Sequence, residues 1–243
     1  MKAIILAAGQ GKRLKKLVLN RPKSLLKISN TTIIEYLVEC LREVGIKKII
    51  VVTGYKSKLI KKTLGNSVKY IFNKKYKTTN SIYSLYLAKK QLFNSNFILT
   101  NGDVFISKDY FARMINEKQS ITCGIKRKKY LFGEMNMILK RNYIKEISKT
   151  TNPKLTNAES AQISYFVKKD SKILFNKIDK LIKNKLYHLF PASAYKDVLN
   201  KSKMRIKFVN PLHWFEIDNK NDLMKIRKTL NSKTKLKNFK NCK

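Results

Sequence analysis

Acidic residues are scarce in this chain: 15 Asp+Glu stand against 54 Lys+Arg in 243 residues, a formal net charge of +39, far outside the usual balance. Cysteine is scarce too. Cys40, Cys123 and Cys242 are odd in number, far apart and near no histidine, which excludes a disulfide framework or zinc knuckle and leads us to expect a reducing, cytoplasmic setting. Eight Gly and four Pro with no glycine repeat exclude collagen-like and Pro/Gly low-complexity classes. Long apolar runs are also missing. The stretch from Ala3 to Ala8 is stopped by Gly9, Lys12 and Arg13, too short for a signal h-region, and no run approaches the roughly 18 residues of a membrane span.

What is present is enough apolar material for a sizeable core. A hydrophobic share of 43% with 12 Phe and 12 Tyr excludes wholesale disorder despite the charge. The charge comes from 46 lysines and only eight arginines, spread evenly among many Asn and Ile. That evenness reads as a compositional bias, with a selected polyanion surface as the alternative. Arginine stripes and aromatic-rich strings, the marks of a specific nucleic-acid reader, are lacking.

The order of elements points to an α/β fold. Lys2–Ala8 is a continuous apolar run ending in glycine, the pattern of a strand buried on both faces. Ile33, Ile34, Leu37, Val38 and Leu41 form a helical stripe closed by Gly45, and the strand Lys48–Thr53 follows, completing a βαβ unit. The rhythm continues with a helix over Ser57–Leu64, a strand over Val68–Phe72, a helix over Asn80–Leu92, a strand over Phe97–Thr100, a helix over Asp109–Glu117 and a strand over Ile121–Lys126. We therefore expect a Rossmann-like, doubly wound mixed sheet. A small inserted β-hairpin region is expected at about 133–150, with Arg141-Asn142 at its turn. A strand over Ala161–Val167, helices over Ile173–Ile182 and Ala194–Leu199, a strand over Met204–Val209 and a helix over Asn221–Leu230 complete a single domain spanning 1–230, and 231–243 reads as a basic, frayed tail.

In such a sheet, ligands sit beyond the carboxyl ends of the strands. The first loop there is Leu6-Ala7-Ala8-Gly9-Gln10-Gly11-Lys-Arg13-Leu14. Its glycines let main-chain amides approach an anion, and Arg13 adds a charge fork. It is neither a Walker loop nor a dinucleotide fingerprint, which need Gly-Lys-Ser/Thr or a third glycine opening a helix. Pro22-Lys23-Ser24-Leu25-Leu26 then places a lysine on a rigid turn.

Together, the Leu-Ala-Ala-Gly-x-Gly-x-Arg-Leu loop and the Pro-Lys-x-Leu-Leu turn resemble the signature of the bacterial nucleotidyltransferases that make sugar nucleotides and CDP compounds from an NTP and a phosphorylated acceptor. The resemblance runs from Lys2 to about Leu230. It implies catalytic roles for Lys23 and Arg13, nucleotide contacts from Leu6 to Gly11 and from Gly102, and a Mg²⁺ ion on Asp103, in Asn101-Gly102-Asp103, and on Asp218, in Glu216-Ile217-Asp218. A turn or cap role is the rival reading for each aspartate. If both ligate one ion, their carboxylates should approach to about 5–6 Å.

Two features are similar to the branch acting on phosphocholine or 2-aminoethylphosphonate. These are Asn73-x-x-Tyr76-x-x-x-Asn80-x-x-x-Ser84, which implies base or ribose contacts from Asn80 and Ser84, and Trp214-Phe-Glu-Ile-Asp218. Ala158-Glu159-Ser-Ala-Gln162-Ile163 stands where relatives carry Gly-Glu-x-x-Gly-Ile, so Glu159 is implied at the acceptor although both glycines are replaced. Lys126 corresponds to a basic position near the acceptor phosphate, with a solvated lysine as the rival reading. Trp214, with Phe215, Tyr165 and Glu159, would wall the acceptor pocket and favour a cationic head group. The resemblance thus implies transfer of CMP from CTP to a small phosphate or phosphonate acceptor, with a sugar-1-phosphate nucleotidyltransferase or a non-catalytic RNA-binding protein as alternatives. A homodimer is possible.

Overall fold

A computed structural model describes residues 1–11 and 20–231. Arg13 and the tail beyond 231 lie outside the described residues. The strands are β1 (Lys2–Ala7), β2 (Lys48–Thr53), β3 (Lys69–Phe72), β4 (Phe97–Asn101), β5 (Val104–Ile106), β6 (Ile121–Ile125), β7 (Asn136–Lys140), β8 (Tyr143–Ser148), β9 (Ala158–Phe166), β10 (Arg205–Phe208) and β11 (Trp214–Glu216). The helices are α1 (Ile33–Glu43), α2 (Ser57–Leu64), α3 (Ser81–Leu87), α4 (Lys89–Leu92), α5 (Lys108–Ile115), α6 (Lys168–Lys183), α7 (Tyr195–Ser202) and α8 (Lys220–Asn231).

Nine strands form one sheet in the order β3-β2-β1-β4-β9-β6-β10-β8-β7. β1 to β4 are parallel, β9 runs antiparallel between β4 and β6, and β10 is parallel to β6. The doubly wound mixed sheet expected above is therefore present. The hairpin β7–β8 is not a separate layer: β8 pairs with β10 and β7 also reaches β9, so it extends the main sheet at its edge.

Alternation along β1 divides the interior. Ala3, Ile5 and Ala7 join the core beneath α1, α2 and α5, whereas Ile4 and Leu6 join the core beneath α3, α6 and α7. With apolar area on both faces, β1 has no solvent side, which is why its sequence reads as a continuous apolar run rather than alternating. α1 begins with a reciprocal cap in which Thr32 accepts from the Glu35 amide and Glu35 accepts from the Thr32 amide.

β5 and β11 form a separate two-stranded antiparallel ribbon, with Val104 opposite Glu216 and Phe105 opposite Phe215. Because β5 follows β4 after only Gly102 and Asp103, this ribbon carries β11 and the start of α8 to the carboxyl end of the parallel strands.

Candidate active site

The cleft at that end has a volume of about 360 Å³. One wall is the first loop. Gly102 donates its amide to the Leu6 carbonyl at 2.9 Å and Tyr55 donates to Ala8 at 3.1 Å, so the loop leaves β1 pinned to its neighbours. Gly102 must be glycine for that approach: a Cβ there would stand 2.9 Å from the Ala7 Cβ. Gly11 turns back at φ +61° and lies against Lys23.

Lys23 opens a single 3-10 turn over Lys23–Leu25, directly after Pro22, whose fixed φ sets the entry. Ser24 and Leu25 of the same turn are buried and seat it in the fold. The ammonium donates to Asp103 Oδ2 at 2.7 Å and to Asp218 Oδ1 at 2.6 Å. Burial opposes the Lys23 charge, but the two carboxylates outweigh it and raise the lysine above its ordinary pKa.

Asp218 reaches this point because capping is done by others. Asn219 Oδ1 accepts from the Asp222 amide, while Asp222 Oδ2 accepts from the amides of Asp218 and Asn219. That reciprocal cap removes the N-cap reading of Asp218.

A third carboxylate, Glu216, completes the floor. Ligand atoms of Asp103, Glu216 and Asp218 all lie within 4.8 Å of one another. Burial first, then the negative charges of Asp103 and Asp218, push the Glu216 carboxyl up to about 7, partly offset by the amide of Gln162. Gln162 bridges Asn101 and Glu216 from a left-handed backbone at φ +60°. Glu216 belongs to the Glu216-Ile217-Asp218 motif, which by resemblance implies a role for Asp218 alone. Its signal was the i, i+2 spacing with Asp218, which puts both on one side of an extended segment.

The cleft is lined by Leu6, Ala7, Ala8, Gly9 and Gly11, by Asn80, Ser84 and Gly102, and by Lys23, Asp103 and Asp218; Gln10 is not among its lining residues. Asn80 and Ser84 reach it with commitments of their own. Asn80 caps α3 by accepting from the Ser81 amide and donates to the His188 carbonyl at 3.1 Å, while Ser84 accepts from buried Asn73 at 3.1 Å.

The acceptor residues inferred from the sequence are not brought to the cleft. Glu159 is gripped by a two-pronged bridge from Arg127, at 3.1 and 2.9 Å. The Arg127 guanidinium lies 5.5 Å over the Trp214 ring, and Trp214 is buried and donates to the Ala161 carbonyl. Lys126 is exposed and its ammonium covers Phe208 at 5.1 Å. Phe215 packs against Phe105 and Tyr165 is buried. None of these residues lines the cleft; Arg127, Glu159 and Trp214 form a linked cluster of their own. The cleft is lined as well by Glu134, Met135, Lys149 and Phe190, which no motif marks.

A glycine loop on one wall and a lysine clamped by carboxylates on the floor define a cleft for phosphate-group chemistry. Residues 3–161, well over half of the chain, match the MobA-like NTP transferase domain, and the chain belongs to that family. It is 43% identical over 114 residues to a choline-phosphate cytidylyltransferase of Streptococcus pneumoniae, covering 46% of this chain and 48% of the relative. It is 30% identical over 169 residues to a CTP:phosphoglutamine cytidylyltransferase of Campylobacter jejuni, covering 63% and 67%. The first of these matches thus spans about half of the relative's length. The solved CTP:phosphocholine cytidylyltransferase of Streptococcus pneumoniae superposes with a TM-score of 0.81 at 26% identity, over 95% of this chain and 99% of that one. No helix among the described residues is long and apolar enough to cross a membrane.

Proposed function

We propose that the chain transfers CMP from CTP to the phosphate or phosphonate oxygen of a small acceptor, releasing pyrophosphate. The observation that carries this reading is the floor of the cleft. There Lys23 bridges Asp103 and Asp218 in the same cleft that the first loop lines, in a chain whose relatives include named cytidylyltransferases. The acceptor oxygen attacks the α-phosphorus in line with the leaving pyrophosphate, so one P–O bond forms as another breaks. No general base is required, because a phosphate monoester is already ionised near neutral pH, with a charge of about −1.5 to −2. The protein's task is to hold two anions together and offset the charge that develops.

Lys23 does so as a donor that can pass from the carboxylates to a phosphate oxygen. The amides between Ala8 and Gly11 cradle the phosphate chain, and Arg13 adds a second cation. The acidic cluster fits Mg²⁺, since its donors are all hard carboxylate oxygens within one ion's reach. Asp103 and Asp218 would hold it, with Glu216 adjacent, and when bound it supplies further charge neutralisation to the phosphates.

The test is pyrophosphate release with Mg²⁺ across CTP, UTP, GTP and dTTP, each paired with phosphocholine, 2-aminoethylphosphonate, phosphoserine and glucose 1-phosphate. CTP with a small non-sugar acceptor should be the productive combination. Preference for UTP or dTTP with the hexose phosphate would replace this reading with a sugar-nucleotide one.

A further inference from the structure

We infer that the acceptor's tail carries a carboxylate and that Lys149 is the residue that selects it; this rests on the cytidylyl-transfer reading for where the reacting phosphate lies. The first loop, Lys23 and the acidic cluster occupy the phosphate end of the cleft. The same cleft is also lined by Glu134, Met135, Lys149 and Phe190, and these we assign to the acceptor end. Met135 is tied to the floor, since its carbonyl accepts from the Ser160 amide at 2.8 Å, two residues before Gln162.

An acceptor with a quaternary ammonium would use an aromatic face at this end, and Phe190 offers one. That face is taken. The Lys149 ammonium stands 4.9 Å over the Phe190 centroid and donates to the Gly133 carbonyl at 2.8 Å. A trimethylammonium group here would have to displace a tethered cation or lie beside it, and like charges repel most where water is thin. Lys149 is half-buried and makes no ion pair with a carboxylate among the described residues. A positive charge held on an aromatic ring and a carbonyl, facing a cleft, keeps a donor for an anion. Glu134 lines the same end with one negative charge. A tail bearing both a carboxylate and an amine therefore meets an opposite charge for each.

Calorimetric titration in Mg²⁺ with phosphoserine, phosphoethanolamine and phosphocholine separates the possibilities, because the three share a phosphate and differ in the tail. Phosphoserine should bind about tenfold more tightly than phosphoethanolamine, the usual scale of one charge-assisted hydrogen bond, and phosphocholine most weakly. Lys149→Met should erase the preference for phosphoserine, and Lys149→Arg should keep it. The inference is overturned by phosphocholine binding as tightly as phosphoserine, by Lys149→Met weakening all three equally, or by no binding of phosphoserine. Should Lys149→Met not fold, the ranking in the unaltered protein still decides. Phosphocholine as the best acceptor in pyrophosphate release would overturn the inference and leave the cytidylyl reading standing. Preferred phosphoserine binding without pyrophosphate release from CTP would do the reverse.

Discussion

The two ends of the cleft are built in different ways. The cationic half of the phosphate end is local in sequence: β1 runs into the glycine loop, and the Pro22 turn presents Lys23 twelve residues after Gly11, while Asp103, Glu216 and Asp218 are brought in from far along the chain. The groups of that local half are backbone amides and short-range turns, which leave a fixed spacing in the chain. The acceptor end gathers side chains from the edge hairpin and from the turn before α7, more than 40 residues apart and joined by no local rule. Phosphate chemistry constrains the first strongly, while the second is free to vary with the tail it meets.

Replacing Lys23 by Ala strikes the phosphate end and has the largest expected effect: turnover in pyrophosphate release should fall by about 10²–10⁴-fold. Asp103→Asn should abolish activity even at saturating Mg²⁺. A loss below tenfold for Lys23→Ala would remove that lysine from the chemistry.

Outside the cleft lining, the linked cluster of Arg127, Glu159 and Trp214 predicts a change of stability rather than of recognition. Arg127→Met strips Glu159 of its partner and should cost roughly 1–2 kcal/mol by denaturant titration, a value discounted for the partial exposure of the arginine. The acceptor KM should stay within about twofold, well under the 1.4 kcal/mol that a tenfold change represents. A large rise in KM with unchanged stability would return Glu159 to the acceptor pocket.

Glu216 links the floor to pH. Its folded carboxyl titrates at about 7 against an ordinary 4.5, so the folded state binds the extra proton between those values. The stabilisation is therefore complete below about pH 4.5 and lost as pH rises through about 7. Melting temperature in metal-free buffer should fall across that window, by the equivalent of roughly 3 kcal/mol. Glu216→Gln should flatten the fall. Equal slopes in the two proteins would count against a shared carboxylate floor.

The smallest effect belongs to Asn80. Its amide caps α3 and holds the 188 carbonyl, so Asn80→Ala should cost about 1 kcal/mol of stability and move the CTP/UTP ratio of kcat/KM only through that loosening. A collapse of the ratio without loss of stability would show the amide turned toward the base.

The parallel half of the fold was legible because β1, β2 and β4 are buried on both faces: α2 falls on Ser57–Leu64 and β2 on Lys48–Thr53, as the pattern implied. The expected helix over Asn80–Leu92 is instead α3 and α4, broken at Ala88, where no Gly or Pro marks the change. Lysines at Lys168, Lys169 and Lys172 masked the start of α6, which begins five residues before the apolar stripe. β9 starts at Ala158 rather than Ala161, because Glu159 and Gln162 make a buried strand read as polar. β5 and β11 have three residues each, too few for any period to register, yet they bring Glu216 and Asp218 to Asp103. The wall of Lys149 and Phe190 left no trace in the sequence, since a lysine among 46 carries no signal until its neighbours are known.

Phosphorus NMR of a reaction containing CTP, Mg²⁺ and a phosphorylated acceptor addresses the central claim most directly. The account predicts that pyrophosphate and a CDP-linked diester grow together in equal amounts as CTP and the acceptor decline, and that neither grows with Asp103→Asn. Pyrophosphate formed without the diester, or both signals persisting in Asp103→Asn, would contradict it.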